Sequence, residues 1–308
     1  MVVYLNEVIH PGALALLKEH AEVVNTFDNP ESIDAILLRN IPVKADLMDR
    51  CKNLKVIGKH GVGVNTIDLE AAKQRGIIVV NTPKANSNSV AELAVALILN
   101  AARNVCTAQE KTQAGGFKTL APASMTGVEI TGKTLGTIGI GNIGRLIANI
   151  LHNGFGMKVL AYYPRMDRES MAKLGYEKVD TVEELISRSD VVNVSVPLTP
   201  ETKNMISGDM FNHFKKDAIL VNTARGGIIN EEDLYEALKS GKLRAAACDA
   251  FVQEPPTRET TKLFELDNFV GTPHIGACSE EALERMGKQV VTEIITILNG
   301  GEPVNRVV

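Results

Sequence analysis

Gly139, Gly141 and Gly144 stand in G-x-G-x-x-G spacing within TLGTIGIGNIGRLIANIL, after an apolar β-branched run and at the start of an amphipathic helical pattern. In that context Gly139 permits a tight turn, Gly141 lets backbone approach a pyrophosphate, and Gly144 lets helix and strand pack closely. The free N–H groups of Asn142 and Ile143 at the helix start suit an anionic oxygen. The spacing therefore points to a bound dinucleotide. The next apolar run, KVLAYYPRM, reaches Tyr163 where an acidic residue would accept hydrogen bonds from the adenosine ribose. Without that carboxylate a 2′-phosphate meets no repulsion, and the guanidinium of Arg165 two residues on can pair with it. The reading tilts toward NADP(H) over NAD; if Arg165 is only a solvated loop residue, either cofactor is accepted.

Such a turn needs a buried parallel sheet to present it, and the chain has the pattern of one. Short β-branched runs alternate with amphipathic helical stretches, the signature of parallel strands covered on both faces. One series runs from VVYLNE through DAILLRN and LKVIGK to GIIVVNT, with helical stretches at 45–51 and 68–75. A long helical pattern follows over 87–104. A second series runs from TLGTIGIG through KVLAYY, DVVNVSV, DAILVNT and AAACDA to NFVGTPH, and a helix over 280–299 closes the chain. That last helix is expected to return to the first unit, giving a substrate domain of residues 1–98 plus 282–308 and a dinucleotide-binding domain of residues 99–281. Ligands of open α/β folds lie beyond the carboxyl ends of the strands, so the loops VNTARGGIIN, CDAFVQEPP and FVGTPHIGA, each at such an end, are where function is expected.

Composition narrows the partners. Thirty-three basic against 37 acidic side chains give a net charge of -4, with no basic cluster to neutralise a row of phosphates, so nucleic acid is not expected. The start MVVYLNEVIH lacks a basic segment before an apolar one, and the most apolar stretch, residues 90–102, is interrupted by Glu92 and Asn100. No membrane segment is expected. Cys51, Cys106, Cys248 and Cys278 show no metal-ligand spacing and are read as reduced thiols in a cytoplasm; no metal is expected.

Together with KHGVGVNTIDLEAA, NTPKANSNSVAELAVALILNAAR and SVPLTPETKNMI, these motifs closely resemble the D-isomer-specific 2-hydroxyacid dehydrogenase family, which includes phosphoglycerate dehydrogenases and hydroxypyruvate or glyoxylate reductases. The resemblance covers nearly the whole chain. It implies two doubly wound parallel-sheet α/β domains, a Rossmann cofactor domain inserted into a flavodoxin-like substrate domain. It also implies Arg225, Glu254 and His274 as catalytic residues. The chemistry agrees, because reducing a 2-keto acid needs a cation for the carboxylate, a proton donor for the carbonyl oxygen and a hydride source at the carbonyl carbon. Arg225 suits the first and His274 the second, with Glu254 orienting the ring and favouring its charged form. Further cofactor contacts implied by the resemblance are Thr82, Val196, Thr223, Ala224, Asp249, Ile275, Gly276 and Ala277, with Asp249 accepting from the carboxamide NH₂.

On the substrate side, KHGVGVN resembles the loop whose backbone N–H groups, here around Val62 and Gly63, bind the carboxylate. Lys59 and His60 stand where an arginine and a small residue are common, and Asn65 where an aspartate is. These departures point to a more cationic pocket and a substrate with a second anionic group, a solvated lysine and a packing histidine being the plainer alternative. Residues 87–122 resemble the family's dimerisation region and imply a homodimer. No appended regulatory domain is expected. A dinucleotide-sensing binding protein, as in corepressor relatives, is the competing reading, and the presence of arginine, glutamate and histidine in order weighs against it.

Overall fold

The computed structural model describes all residues from Met1 to Val308. Five strands open the chain, β1 (Val2–Tyr4), β2 (Glu22–Val24), β3 (Ala35–Leu38), β4 (Val56–Lys59) and β5 (Ile78–Val80), separated by helices α1 (Pro11–His20), α2 (Ala45–Arg50) and α3 (Leu69–Gln74). Next come α4 (Ser87–Arg103), α5 (Val105–Gln113), β6 (Thr134–Ile138), α6 (Asn142–Phe155), β7 (Lys158–Tyr162), α7 (Arg168–Ala172), β8 (Glu177–Val179), α8 (Val182–Arg188) and β9 (Val191–Val194). The chain closes with β10 (Ile219–Asn222), α9 (Glu231–Lys239), β11 (Ala245–Cys248), β12 (Phe269–Gly271) and α10 (Glu280–Leu298).

Two compact units result, Met1–Ser89 with Ala277–Val308, and Val90–Gly276. In the first the strand order is β2-β1-β3-β4-β5 with every pair parallel, the flavodoxin-like order. In the second it is β12-β11-β10-β9-β6-β7-β8, again all parallel. Counted from β6, this is the Rossmann order extended by one strand. The strands β3, β4, β9, β10 and β11 are buried at every position, which is why they read as unbroken apolar runs rather than alternating ones.

The sequence reading placed the domain boundaries at 98/99 and 281/282, and the contacts divide the chain earlier at both ends. The difference at the first lies in α4, whose small residues Ala91, Ala94, Ala101 and Ala102 pack with Leu135, Ile147 and Leu151 in the core of the second unit. In the first unit α10 buries Val290, Val291, Ile294 and Ile297 against Val3, Leu37 and Val56. Its buried Glu293 accepts from the N–H groups of Val304 and Asn305 at 2.9 and 3.1 Å. The tail so held pairs antiparallel with β5 through Val80 and Arg306, covering what would be an open sheet edge. No single helix is long and apolar enough to cross a membrane.

Candidate functional site

The glycine turn leaves β6 at Gly139, whose φ of +95° suits a residue without Cβ. A Cβ there would collide with the Ser195 carbonyl oxygen, and one on Gly144 would collide with the carbonyl oxygen of Gly139. A buried polar chain supports the turn from below. Thr137 Oγ1 donates to the Gly139 carbonyl at 2.9 Å, and Asn193 Nδ2 donates to Thr137 Oγ1 at 3.2 Å and Ser195 Oγ at 2.9 Å. Gly141 is different. Its φ is −69°, it is exposed, and a Cβ built on it meets nothing within 4 Å. Neither backbone conformation nor packing asks for glycine there; a ligand lying against the backbone does. Asn142 and Ile143 follow as the first helical residues of α6, with N–H groups that have no intrahelical acceptor. Val196 lies against Gly139.

Beyond β7, Tyr163 is half-buried and Arg165 is exposed, without a side-chain hydrogen bond or ion pair. The nearest acid, Asp167, is spent on capping α7, where it accepts from Ser170 N at 2.6 Å and Ser170 Oγ at 2.9 Å. The Ser170 backbone bond is the main reason its carboxyl lies below the usual range.

In the same unit, β10 ends in Asn222, which is 2% exposed and shapes the next loop with both ends of its amide. Its Oδ1 accepts from Ala224 N at 3.0 Å and its Nδ2 donates to the Arg225 carbonyl at 2.9 Å. Thr223 Oγ1 is buried with no partner. The Arg225 guanidinium donates to the Ala224 carbonyl at 2.6 Å. Burial lowers its pKa and the charge of Glu254 opposes that shift.

His274 Nδ1 lies 2.9 and 3.0 Å from the two carboxylate oxygens of Glu254. Burial raises the Glu254 carboxyl, but hydrogen bonds from His274 and Phe251 N–H, with the charges of His274 and Arg225, outweigh it and hold the group below its ordinary range. An ionised carboxylate only accepts, so Nδ1 carries the proton and Nε2 is the nitrogen left for proton transfer. His274 has φ +57°, a conformation that costs a non-glycine residue roughly 1–3 kcal/mol and persists only where its surroundings impose it. Asp249 imposes it here. Its carboxylate accepts from Thr272 Oγ1 at 2.6 Å, Ile275 N at 2.8 Å and Gly276 N at 2.8 Å, so the loop is wrapped around it. With those bonds made and 2% exposure, Asp249 anchors the loop. Ile275 is exposed and Gly276 buried, each with its N–H on Asp249; Ala277 begins the second segment of the first unit and packs with Ala85, Ala282 and Met286.

In the first unit the loop after β4 is tied to the residue after β5. Gly61 N donates to Thr82 Oγ1 at 3.0 Å, Thr82 N donates to the Gly61 carbonyl at 3.0 Å, and Asn81 Nδ2 donates to the Val62 carbonyl at 2.8 Å. Thr82 is fully buried, and its hydroxyl accepts from the loop. Val62 and Gly63 are half-buried. Lys59 is 8% exposed and engaged. His60 is buried too. It is 5% exposed with an unpartnered Nε2 near Gly287 of α10, and burial, with the positive charges of Arg39 and Lys59, lowers its pKa to about 4. It is the neutral packing histidine of the plainer alternative and adds no cation.

His60 carries a pH prediction. Between its unfolded value near 6.5 and about 4, the unfolded chain binds a proton that the folded chain refuses. Stability is therefore whole above that window and falls as pH drops through it, by roughly 3 kcal/mol in all. Urea midpoints measured from pH 7 to pH 4 should show this slope in the parent and a shallower one in His60→Ala.

Sequence reasoning missed three residues. Arg39 follows the fully buried β3 directly, and its backbone is held by Glu7, whose carboxylate accepts from Arg39 N at 2.6 Å and Asn40 N at 2.8 Å. Asn86 Oδ1 and Ser87 Oγ, buried without partners where α4 starts, lie in the NSNSV run that reads as a helix start.

Comparison with known proteins agrees with this arrangement. Residues 95–276 match the family model described as D-isomer specific 2-hydroxyacid dehydrogenase, NAD binding domain. The chain is 41% identical over 303 residues to the hydroxypyruvate reductase of Thermotoga maritima, covering 95% of this chain and 96% of that one. It is 41% identical over 307 residues to the D-3-phosphoglycerate dehydrogenase of Methanocaldococcus jannaschii, covering 97% of this chain but 57% of that longer protein. Among solved structures, the NADPH-dependent glyoxylate/hydroxypyruvate reductase of Sinorhizobium meliloti, in complex with citrate, superimposes with a TM-score of 0.88 at 26% identity, over 99% of this chain and 97% of that one. With two parallel sheets in the flavodoxin-like and Rossmann orders, a glycine turn shaped for a dinucleotide, and relatives alike over nearly its full length, the chain belongs to the D-isomer-specific 2-hydroxyacid dehydrogenase family.

Proposed function

We propose that the protein reduces a small 2-keto acid to the D-2-hydroxy acid at the expense of NAD(P)H, and catalyses the reverse oxidation. The observation that carries this reading is the Glu254–His274 pair, with Nδ1 held at 2.9 Å and Nε2 left over, in the unit that also bears Arg225 and the glycine turn. A protein that only sensed dinucleotide would need no proton donor. Arg225 holds the substrate carboxylate through two parallel N–H donors. His274, protonated, gives its Nε2 proton to the carbonyl oxygen as that oxygen gains charge, and the Glu254 carboxylate stabilises the imidazolium before transfer. In oxidation His274 starts neutral and takes the hydroxyl proton. The nicotinamide, when bound, supplies the hydride to the carbonyl carbon. Gly139, Gly141, Gly144 and the α6 N–H groups of Asn142 and Ile143 would hold its pyrophosphate, with Val196, Thr223 and Ala224 beside it.

Three finer readings follow. Arg165 without a partner, Tyr163 in place of an acid and Asp167 committed to α7 support NADP(H) as the preferred cofactor, the Sinorhizobium relative being NADPH-dependent. Lys59 and Arg39 on the first unit support a substrate with a second anionic group, such as phosphate, sulfonate or carboxylate, with Val62 and Gly63 N–H groups taking the 2-keto carboxylate. The exposed Leu120, 98% accessible, beyond α5 supports a homodimer arm.

The test is absorbance at 340 nm with NADH or NADPH against hydroxypyruvate, glyoxylate, 3-phosphohydroxypyruvate, sulfopyruvate and oxaloacetate. We expect turnover, a higher kcat/KM with NADPH, and dianions ahead of glyoxylate. Tight dinucleotide binding with no turnover on any acid would return the protein to the sensing reading.

A further inference from the structure

The Glu254–His274 pair depends on a loop that its own side chains do little to hold. Phe251 is anchored, 4% exposed and packed on Phe264 and Phe269. Past it the loop is open: Val252 is 69% exposed, and Gln253 and Glu254 are exposed as well. Two residues, Val252 and Gln253, separate the buried ring from the carboxylate that must meet His274. What fixes the path between them comes from another element.

Glu231, the first residue of α9, turns its carboxylate away from its own helix, and its Oε1 accepts from Val252 N at 2.7 Å. The helix behind it is firm, capped by Asn230 Oδ1 on Asp233 N at 3.1 Å and buried through Leu234, Tyr235, Ala237 and Leu238. Against the same peptide lies Gly226, the residue after Arg225. A Cβ there would overlap the Phe251 carbonyl and the Val252 nitrogen. The peptide between Phe251 and Val252 is thus clamped by a carboxylate from α9 and by the backbone of the arginine loop. From this fixed peptide Glu254 folds back, accepting from Phe251 N at 3.1 Å and holding His274 Nδ1.

We propose that Glu231 is a positioning residue: by holding Val252 N–H it sets the Phe251–Glu254 loop at the height from which Glu254 reaches His274, without touching substrate or cofactor. The proposal rests on the reading of His274 as proton donor. A carboxylate at the first helical position also has a simpler use, complementing the helix dipole. The two uses part on one substitution. Glutamine keeps an oxygen to accept from Val252 N–H and loses the charge; alanine loses both.

The experiment compares Glu231→Ala and Glu231→Gln by two readouts, the NMR resonance of the His274 Nδ1–H proton in the ligand-free protein, which reports its hydrogen bond to Glu254, and steady-state reduction of a keto acid across pH. His274 faces one carboxylate, Glu254, and Glu254 faces in turn only His274 and the Arg225 guanidinium among the charges that act on it. Loosening Glu254 withdraws the charge that favours the imidazolium. In Glu231→Ala the Nδ1–H resonance should lose its hydrogen-bonded shift, kcat should fall about tenfold, and the alkaline limb of the reductive profile should move to lower pH. KM and dinucleotide affinity should hold. Glu231→Gln should recover most of each change. An Nδ1–H resonance unmoved in Glu231→Ala, or glutamine failing as badly as alanine, overturns the proposal. Absence of turnover in the parent instead overturns the reading of the enzyme, and the NMR arm still judges Glu231.

Discussion

Replacing His274 by glutamine is expected to lower kcat about a thousandfold, roughly 4 kcal/mol of transition-state stabilisation, within the range for removing a positioned acid. Glutamine spans a similar length and its amide can still donate to Glu254, but it has no proton to transfer at the far end. Dinucleotide affinity should stay as it was, because the glycine turn stands on β6 and α6 and takes nothing from the loop after β12. KM should change little, since the cation we propose for the substrate carboxylate is Arg225. The fall should therefore appear in kcat and kcat/KM alike, the mark of an interaction made in the transition state. In the variant Glu254 keeps a hydrogen-bond donor but loses the charge of His274, so its carboxyl should rise part of the way toward the ordinary range. Turnover within threefold of the parent would remove His274 from the mechanism.

Gly141→Ala is the second large effect, and its value lies in what it leaves alone. The backbone there has a φ that alanine adopts freely, and the added methyl meets no protein atom within 4 Å. The folded protein should be as stable as the parent or slightly more so, since losing a glycine restricts the unfolded chain by about 0.4–1 kcal/mol. The methyl instead occupies the space through which a pyrophosphate reaches the α6 N–H groups. We expect a dinucleotide Kd about a hundredfold weaker, near 2.7 kcal/mol, with an unchanged thermal midpoint. Since the chain has no tryptophan, the emission of bound NADPH is the convenient signal. Gly144→Ala supplies the contrast, because its methyl would strike the Gly139 carbonyl and should cost stability as well. Unchanged affinity in Gly141→Ala would show that no ligand lies against the turn.

Much of the fold was legible in the residues. Strands buried on both faces select unbroken apolar runs, so β3, β4, β9, β10 and β11 stood out. The two strands that escaped, β2 and β8, are three residues long, begin with Glu22 and Glu177, and lie at sheet edges, where burial imposes no pattern. The glycine turn was legible because its geometry is local, with each requirement falling on a residue a few positions from the next.

Roles that depend on which acceptor a side chain finds were not legible. Glu254 and His274 are twenty residues apart and Asp249 and Gly276 twenty-seven; nothing in the spacing says that one carboxylate orients a ring while the other anchors the loop that carries it. His60 read as either a cation or a packing histidine, and α10, more than two hundred residues later, buries it and keeps it neutral. The spacing did not say that the Thr82 hydroxyl also accepts from Gly61 N. By itself the sequence determined the residue types available for chemistry and the strand ends that present them. Tertiary structure decided which of those groups remain free to act, because desolvation and hydrogen-bond partnership are set by elements distant in the chain.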